Sequence, residues 1–144
     1  IERSAQFLTK TPVVLLRDTI VSLPNGVQII GRDDRSNRHR RKLEDMMIET
    51  NAEYPIIVMD HQPYDLYKSD SLKVDLQLSG HTHRGQVWPA SLLTDKMYEQ
   101  SYGYRKWNHS HIFVSSGLSL WGPPFRIGTN SDMAVINLKG TDAK

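Results

Sequence analysis

The chain has 144 residues, 38% of them hydrophobic and 24% charged, which fits one folded domain of ordinary size. Eighteen basic and sixteen acidic residues give a formal charge of +2, a balance that supports neither a nucleic-acid binder nor a membrane-surface binder. There is no cysteine, which excludes disulfides and thiolate metal ligands. We therefore expect a single domain over residues 1–144, in which any metal is held by histidine, aspartate, glutamate or asparagine.

The N-terminal part of the chain predicts a β-hairpin. Residues 12–16 are apolar and rich in β-branched side chains, and a second apolar run covers residues 27–30. Between them lies Leu23-Pro24-Asn25-Gly26, whose Asn-Gly pair is typical of tight hairpin turns. The pattern predicts two antiparallel strands, the second ending at Gly31.

A helix is predicted over residues 37–50, with Ser36 or Asn37 as its N-cap. Its apolar face has helical spacing. Its start is basic and its end acidic, which opposes the helix dipole. Two interpretations stay open for the basic start, a solvated face or an anion-binding segment beside Asp33 and Asp34.

Two apolar runs in the middle of the chain, residues 55–60 and 74–78, are predicted strands that each lead into histidine. His61 follows the first strand, and His81 and His83 follow the second. In open α/β sheets, ligands bind at the carboxyl ends of neighbouring strands. Imidazole is the commonest neutral metal ligand, so this pattern favours a metal site that Zn, Mn, Fe or Ni could occupy.

The remaining elements are predicted from apolar periodicity and from glycine and proline positions. They are a helical turn within 64–73, a helix over 90–100, a hairpin of 102–107 with 111–115, a loop over 117–128 and a last strand over 133–138. The whole pattern predicts an α/β fold, with a frayed tail over 139–144.

Several short motifs resemble those of calcineurin-like metallophosphoesterases, in particular the bacterial, often membrane-associated branch. Gly80-His81-Thr82-His83 followed by Gly85-Gln86 resembles the family signature Gly-His-Thr-His-Gly-Gly-Gln. The other matching motifs are Gly31-Arg32-Asp33-Asp34, His61-Gln62-Pro63, residues 114–118 and residues 121–126. They occur in the family's order, and the resemblance covers about residues 12–139.

This resemblance implies a β-sandwich flanked by helices, with two divalent metal ions at the strand ends. His61 and His81 would bind one metal ion and His83 the other, and a hydroxide shared by both would attack the phosphorus of a phosphate ester. Arg84 stands where the family has glycine. It either binds a phosphate oxygen or crowds the pocket, and Arg126 is a second candidate substrate-binding residue.

Three motifs of the family cannot be found in the chain: Asp-x-His, Gly-Asp and Asn-His-Asp/Glu. They supply the bridging carboxylate, a metal-binding amide and a histidine near the leaving group, and in the family they lie upstream of the matched region. The chain is therefore predicted to be the C-terminal half of the domain, incomplete and inactive alone. It would have no catalytic residue of its own and would hold one metal ion or none. Exposed sheet edges and apolar surface would favour dimerisation.

The function expected of the full-length parent is metal-dependent hydrolysis of a phosphomonoester or phosphodiester. The alternative is a non-catalytic binding or regulatory module with a degenerate metal site. A nucleic-acid partner is not expected, because the basic run lacks interleaved aromatic residues. The resemblance implies a membrane-associated parent, for which an extracytoplasmic location is one alternative and the sequence does not fix the side. No apolar run of this segment is long enough to span a membrane, and the segment is expected to be soluble. The basic run contains Arg32, Arg35, Arg38, Arg40, Arg41 and Lys42.

Overall fold

The computed structural model describes residue 8 and residues 10–139, and these residues contain one mixed sheet of six strands. The sheet is accompanied by three short α-helices and one 3-10 turn in the described part of the chain. The strands are β1 (Thr19–Ser22), β2 (Gln28–Gly31), β3 (Ile56–Met59), β4 (Leu76–Ser79), β5 (Gly103–Lys106) and β6 (His111–Val114), and their order across the sheet is β1-β2-β3-β4-β6-β5. The helices are α1 (Leu43–Met47), α2 (Leu66–Ser71) and α3 (Ala90–Met97), and the 3-10 turn is His83–Gly85.

The four central strands are parallel and the two edge strands are antiparallel to their neighbours. The register places Ile30 beside Val58, Val58 beside Gln77 and Gln77 beside Ile112. The carboxyl ends of β2, β3, β4 and β6 therefore meet at one edge of the sheet. This arrangement confirms the predicted α/β class.

The hydrophobic core lies on the helix side of the sheet. Ile30 and Val58 are fully buried there against α1, and Ile112 is fully buried against Leu66 of α2. Burying each such side chain contributes about 1.5–3 kcal/mol relative to leaving it in water. Apolar burial on the helix side of the sheet is thus the main source of stability for this fold.

The opposite face of the sheet is only half covered. Met59, Leu78, Phe113 and Tyr104 are neighbours across four strands, and Met59 and Tyr104 remain 48% and 60% exposed. The segment 133–136 lies over part of this face, around a cavity of about 490 Å³ lined also by Leu78 and Phe113. We refer to this surface as the half-covered face.

The first strand of the hairpin lies later in the chain than predicted. It is β1, whereas Val13, Val14 and Leu15 are 47–75% exposed. The turn fixes this register, because the amide of Leu23 donates to the carbonyl of Val27 at 2.8 Å. Ser22 therefore pairs with Gln28, and each earlier residue of β1 pairs with the next residue of β2. The apolar run at 12–16 is too far from the turn to pair with β2.

The predicted helix over 37–50 was wrong in length and in its cap. Only Leu43–Met47 is α-helical, its N-cap is Lys42, and that side chain makes no capping hydrogen bond. Asn37 donates instead to the carboxylate of Asp33 at 2.9 Å. The carboxylate of Asp18 accepts the amide of Arg41 at 2.9 Å and holds the preceding segment out of the helix.

The last strand predicted over 133–138 is not present, because residues 131–139 have no regular structure. Met133, Ala134 and Ile136 line the cavity on the half-covered face, whereas Val135 is 79% exposed and is not part of its lining. The apolar residues of this segment therefore lie against the sheet, but they do not form a strand that pairs with it. The predicted fraying falls mostly on 140–144, outside the described residues.

Candidate metal centre

His61 and His81 lie side by side at the carboxyl edge of the sheet. Because Met59 of β3 pairs with Leu78 of β4, the two chain segments leave the sheet at the same level. The amide of Gly80 then donates to the carbonyl of His61 at 2.9 Å. Nδ1 of His81 lies 3.1 Å from Nε2 of His61, with the two rings edge to face. The structure therefore brings together two of the three histidines that the sequence singled out.

The spacing of these two nitrogens fits a shared metal ion. Two nitrogens that each bind zinc at about 2.05 Å in a tetrahedral site lie about 3.3 Å apart. Partial burial, followed by the electrostatic effect of the neighbouring His61, lowers the pKa of His81. This favours the neutral imidazole, which is the form that binds metals.

His83 lies in the 3-10 turn that follows, and it does not complete a three-ligand cluster. No group of three His, Asp or Glu side chains in the described residues is arranged to hold a metal ion. The Nδ1 atom of His83 is buried and has no hydrogen-bond partner there. Burial and the nearby charge of Arg126 lower the pKa of His83, so this ring too is held in its neutral form.

The backbone of the histidine turn is strained. His81, His83, Arg84 and Gln86 have φ values of +69°, +48°, +51° and +52°. Left-handed conformations are uncommon for residues with a side chain, and each costs of order 1–3 kcal/mol. Such strain clusters at functional sites, and here it sits on the two histidines themselves.

Thr82 holds the histidine turn in place through two hydrogen bonds. Its buried hydroxyl donates to the carbonyl of Ser101 at 2.7 Å and accepts the amide of Arg84 at 3.1 Å. The threonine between the two histidines is therefore a structural residue of the turn, which explains why a hydroxyl side chain occupies that position.

The two predicted substrate-binding arginines have different surroundings. Arg84 is exposed, and its guanidinium lies over the ring of Tyr102, 4.4 Å from the centroid. Arg126 donates to four backbone carbonyls of the surrounding loops, at 2.8–3.1 Å, and these belong to His83, Ser116, Gly117 and Ser119. Because the donors of Arg126 are occupied in this way, Arg84 is the more available of the two arginines for a ligand.

Asp34 is a residue of this edge to which the sequence analysis assigned no role. Hydrogen bonds from Ser36 lower the pKa of Asp34, with smaller contributions from the nearby His61 and His81. An anionic carboxylate beside two imidazoles favours cation binding electrostatically. The signal in the sequence was the motif Gly31-Arg32-Asp33-Asp34, which places Asp34 just after β2, the strand next to β3.

Two tyrosines flank the histidine pair. The hydroxyl oxygens of Tyr64 and Tyr98 lie 3.3 Å apart, and the Tyr98 ring centroid is 6.4 Å from that of His81. Burial and the hydrogen bond with Tyr64 raise the pKa of Tyr98 to about 12. Tyr98 therefore remains a protonated hydrogen-bond donor at neutral pH.

The helices of the described residues offer no candidate for a bilayer-crossing segment, since each is too short or too polar.

Known proteins are similar in sequence to most of this chain. The chain is 34% identical over 146 residues to an uncharacterized metallophosphoesterase of Helicobacter pylori, a match covering 96% of this chain and 39% of the relative. An uncharacterized metallophosphoesterase of Aquifex aeolicus is 28% identical over 148 residues, covering 97% and 56%. A transmembrane protein with metallophosphoesterase domain of Danio rerio is 34% identical over 104 residues, covering 70% and 24%. No family model and no solved structure matches the chain.

The mixed α/β sheet and the two imidazoles at its carboxyl edge define a candidate metal centre, and the relatives specify the family. The chain belongs to the calcineurin-like metallophosphoesterase family, and the resemblance seen in its motifs is confirmed. It spans about two fifths of the length of the Helicobacter pylori relatives, at 39%.

Proposed function

We propose that the chain supplies part of the metal centre of a phosphoesterase that hydrolyses a phosphomonoester or phosphodiester. The observation that carries the proposal is the 3.1 Å approach of His61 and His81 at the ends of adjacent strands. We assign these two histidines to one divalent ion and His83 to a second, with Mn, Zn, Fe or Ni as the candidate metals. In this proposal residues 1–144 are the C-terminal portion of one phosphoesterase domain, and the remaining ligands come from the rest of that domain.

Bound divalent ions would supply polarisation of the phosphoryl oxygens and a nucleophile at neutral pH. The chain's own residues would prepare the site for them. His61 and His81 present lone pairs, and Asp34 offsets the positive charge. Arg84 would bind a phosphate oxygen, and Arg126 would serve the substrate pocket by fixing the carbonyl of His83.

The second candidate function is a non-catalytic binding or regulatory module with a degenerate site. Its support is the lack of any three-ligand group among the residues described here. Two imidazoles alone hold a metal ion weakly, so a module of this kind would bind one ion reversibly or none.

Metal content and hydrolysis, measured on the same samples, test the proposal. We expect one metal ion or fewer per chain after loading with Mn or Zn, and no hydrolysis of an aryl phosphodiester by the chain alone. His81→Ala should abolish metal retention. His109→Ala should not, because this exposed histidine lies at the β5–β6 turn. Two tightly held ions with turnover would contradict the partial-site proposal.

The full-length parent separates the two functions. If it is a phosphoesterase, alanine at His61, His81 or His83 should lower kcat/KM by more than the roughly 10–100-fold typical of residues that merely support a ligand. A parent that retains metal but hydrolyses neither monoesters nor diesters would favour the regulatory module. His109→Ala in the parent is the matched control.

We further propose that the half-covered face packs against the rest of the parent's domain and that the chain alone associates through it. Met59 and Tyr104, 48% and 60% exposed on a sheet face, support this proposal. Light scattering should detect dimers of the chain that Met59→Lys reduces. A monomer at all concentrations would contradict it.

Membrane association of the parent is likewise a proposal, supported by relatives named as transmembrane proteins.

A further inference from the structure

A basic cavity of about 290 Å³ opens on the helix side of the sheet, between α1, α2 and the segment 32–42. Val58 and Gln77 form its floor, and Gln62 and Tyr64 lie on its wall. None of the three histidines of the candidate metal centre lines it. The cavity is thus a concave site of its own, reached from the same end of the sheet.

The charges around this cavity do not balance. Seven lysine and arginine side chains line it, against the three carboxylates of Glu44, Asp60 and Asp65. Two of those carboxylates are each matched by one cation, since Glu44 pairs with Lys68 at 3.4 Å and Asp65 with Arg35 at 3.3 Å. Arg41 pairs with Glu49, which lies outside the cavity lining. Four lining cations remain beside the single carboxylate of Asp60: Arg32, Arg38, Arg40 and Lys42.

Asp60 is shared by two arginines that are nearly buried. Arg40 pairs with it directly and Arg32 lies 3.8 Å away, with the two arginine side chains only 12% and 11% exposed. The Nε atoms of both arginines are buried and find no acceptor in the described part of the protein. Burial, followed by the neighbouring Arg40, lowers the pKa of Arg32.

Arg38 and Lys42 complete the wall. Both are exposed, and neither has an ion-pair partner among the side chains the structure describes. Two cations at the mouth and two crowded guanidinium groups inside form a site for a compact, multiply charged anion. Arginine is suited to this because its donors bind the oxygens of phosphate in pairs.

We propose that this cavity binds a phosphate-bearing anion, held by Arg32 and Arg40 inside and by Arg38 and Lys42 at the mouth. The ligand is a free phosphate or pyrophosphate, or the phosphoryl group of an ester. Binding needs no metal and none of the three histidines, and the inference therefore stands whether or not the chain belongs to an active phosphoesterase.

Titration calorimetry with inorganic pyrophosphate, in excess EDTA and at fixed ionic strength, tests the inference. Arg38→Gln combined with Lys42→Gln should weaken binding at least tenfold. The control, Lys96→Gln combined with Lys106→Gln, removes the same charge at exposed positions on α3 and β5 and should change the affinity less than twofold. Equal weakening by both pairs, or no binding by the unmodified chain, would overturn the inference.

The site and the source of the ligand are resolved in the same experiment. His61→Ala with His81→Ala should leave the affinity for pyrophosphate unchanged, and loss of binding in that variant would place the anion at the histidine pair and overturn the inference. Inorganic phosphate and glycerol phosphate serve as further probes. Equal affinity for both supports an esterified ligand, whereas binding of the inorganic anions alone supports a free one.

Discussion

The side-chain amide of Gln86 and the backbone of Trp121 form a reciprocal pair of hydrogen bonds. Nε2 of Gln86 donates to the carbonyl of Trp121 at 2.7 Å, and Oε1 accepts the amide of Trp121 at 2.6 Å. The same Nε2 also reaches the carbonyls of Pro123 and Phe125. One buried side chain thereby fastens the loop 117–128 to the end of the histidine turn.

Replacing Gln86 by alanine should destabilise the chain by about 1–3 kcal/mol, because buried backbone groups of the loop would lose their partner. Urea unfolding measures this change. Gln86→Glu should be no better, since a carboxylate would face carbonyls where the amide donated. Asn130→Ala is the control, because Asn130 is exposed and its side chain makes no hydrogen bond among the described residues. Equal stability of Gln86→Ala and the control would contradict this role.

Asp60 should be far more important to stability than the exposed Asp65. Asp60→Asn would leave Arg32 and Arg40 with no carboxylate partner, and removing one member of a buried pair costs about 3–5 kcal/mol. Asp65→Asn should cost about 0–1 kcal/mol, because its pair with Arg35 is nearly half exposed on both sides. Thermal or urea unfolding of the two variants measures the difference. Similar losses in both would show that the arginines relax into water.

Asp70 should make stability depend on acid pH. The backbone amides of Ser110 and His109 donate to its carboxylate and lower its pKa below the ordinary value of 3.8. A lowered folded-state pKa gives a stabilising contribution that is complete above 3.8 and is lost as the pH falls through the folded value. Unfolding free energies measured across this range should fall more steeply for the natural chain than for Asp70→Asn.

The control for this pH dependence is Asp45→Asn, which changes an exposed carboxylate that makes no side-chain hydrogen bond with the residues the structure describes. It should keep the acid slope of the unmodified chain. If Asp70→Asn also keeps the full slope, the titration of other carboxylates governs acid unfolding.

Gly85 and Gly103 offer a matched test of close packing. Both have left-handed backbones, with φ of +75° and +79°, so alanine is strained at either position. A Cβ at Gly85 would lie 2.3 Å from the backbone nitrogen of Ser91 in α3, whereas one at Gly103 would meet nothing within 4 Å. Gly103→Ala should therefore cost about 1 kcal/mol, and Gly85→Ala clearly more. Chemical denaturation compares them, and equal costs would mean that α3 moves freely.

Much of the sheet could be predicted from sequence because its signals are local. The apolar runs of β3 and β4, the Asn-Gly turn before β2 and the β5–β6 hairpin were all recognisable from a few neighbouring residues. The predicted helix over 37–50 was wrong because Asp18 binds the amide of Arg41 across 23 positions. No local sequence pattern predicts such a contact.

The candidate site also combines a feature that local sequence predicts with one that only the fold reveals. The adjacency of His61 and His81 followed from two strands that are each followed by histidine two residues later, and parallel pairing brought them together. The role of Gln86 could not be predicted, because its partners are backbone groups 35 or more positions away. Backbone carbonyls look alike in every sequence, so only the fold reveals which of them a side chain meets.

The pairing of Met59 with Leu78 sets the distance between the two imidazoles. A slip of one residue would move one histidine by about 3.3 Å and turn its side chain to the other face of the sheet. The spacing of the two imidazoles thus depends on main-chain hydrogen bonds that many sequences can make. Substitutions in the loops beyond the strands should therefore leave the distance between the imidazoles unchanged wherever they preserve this pairing.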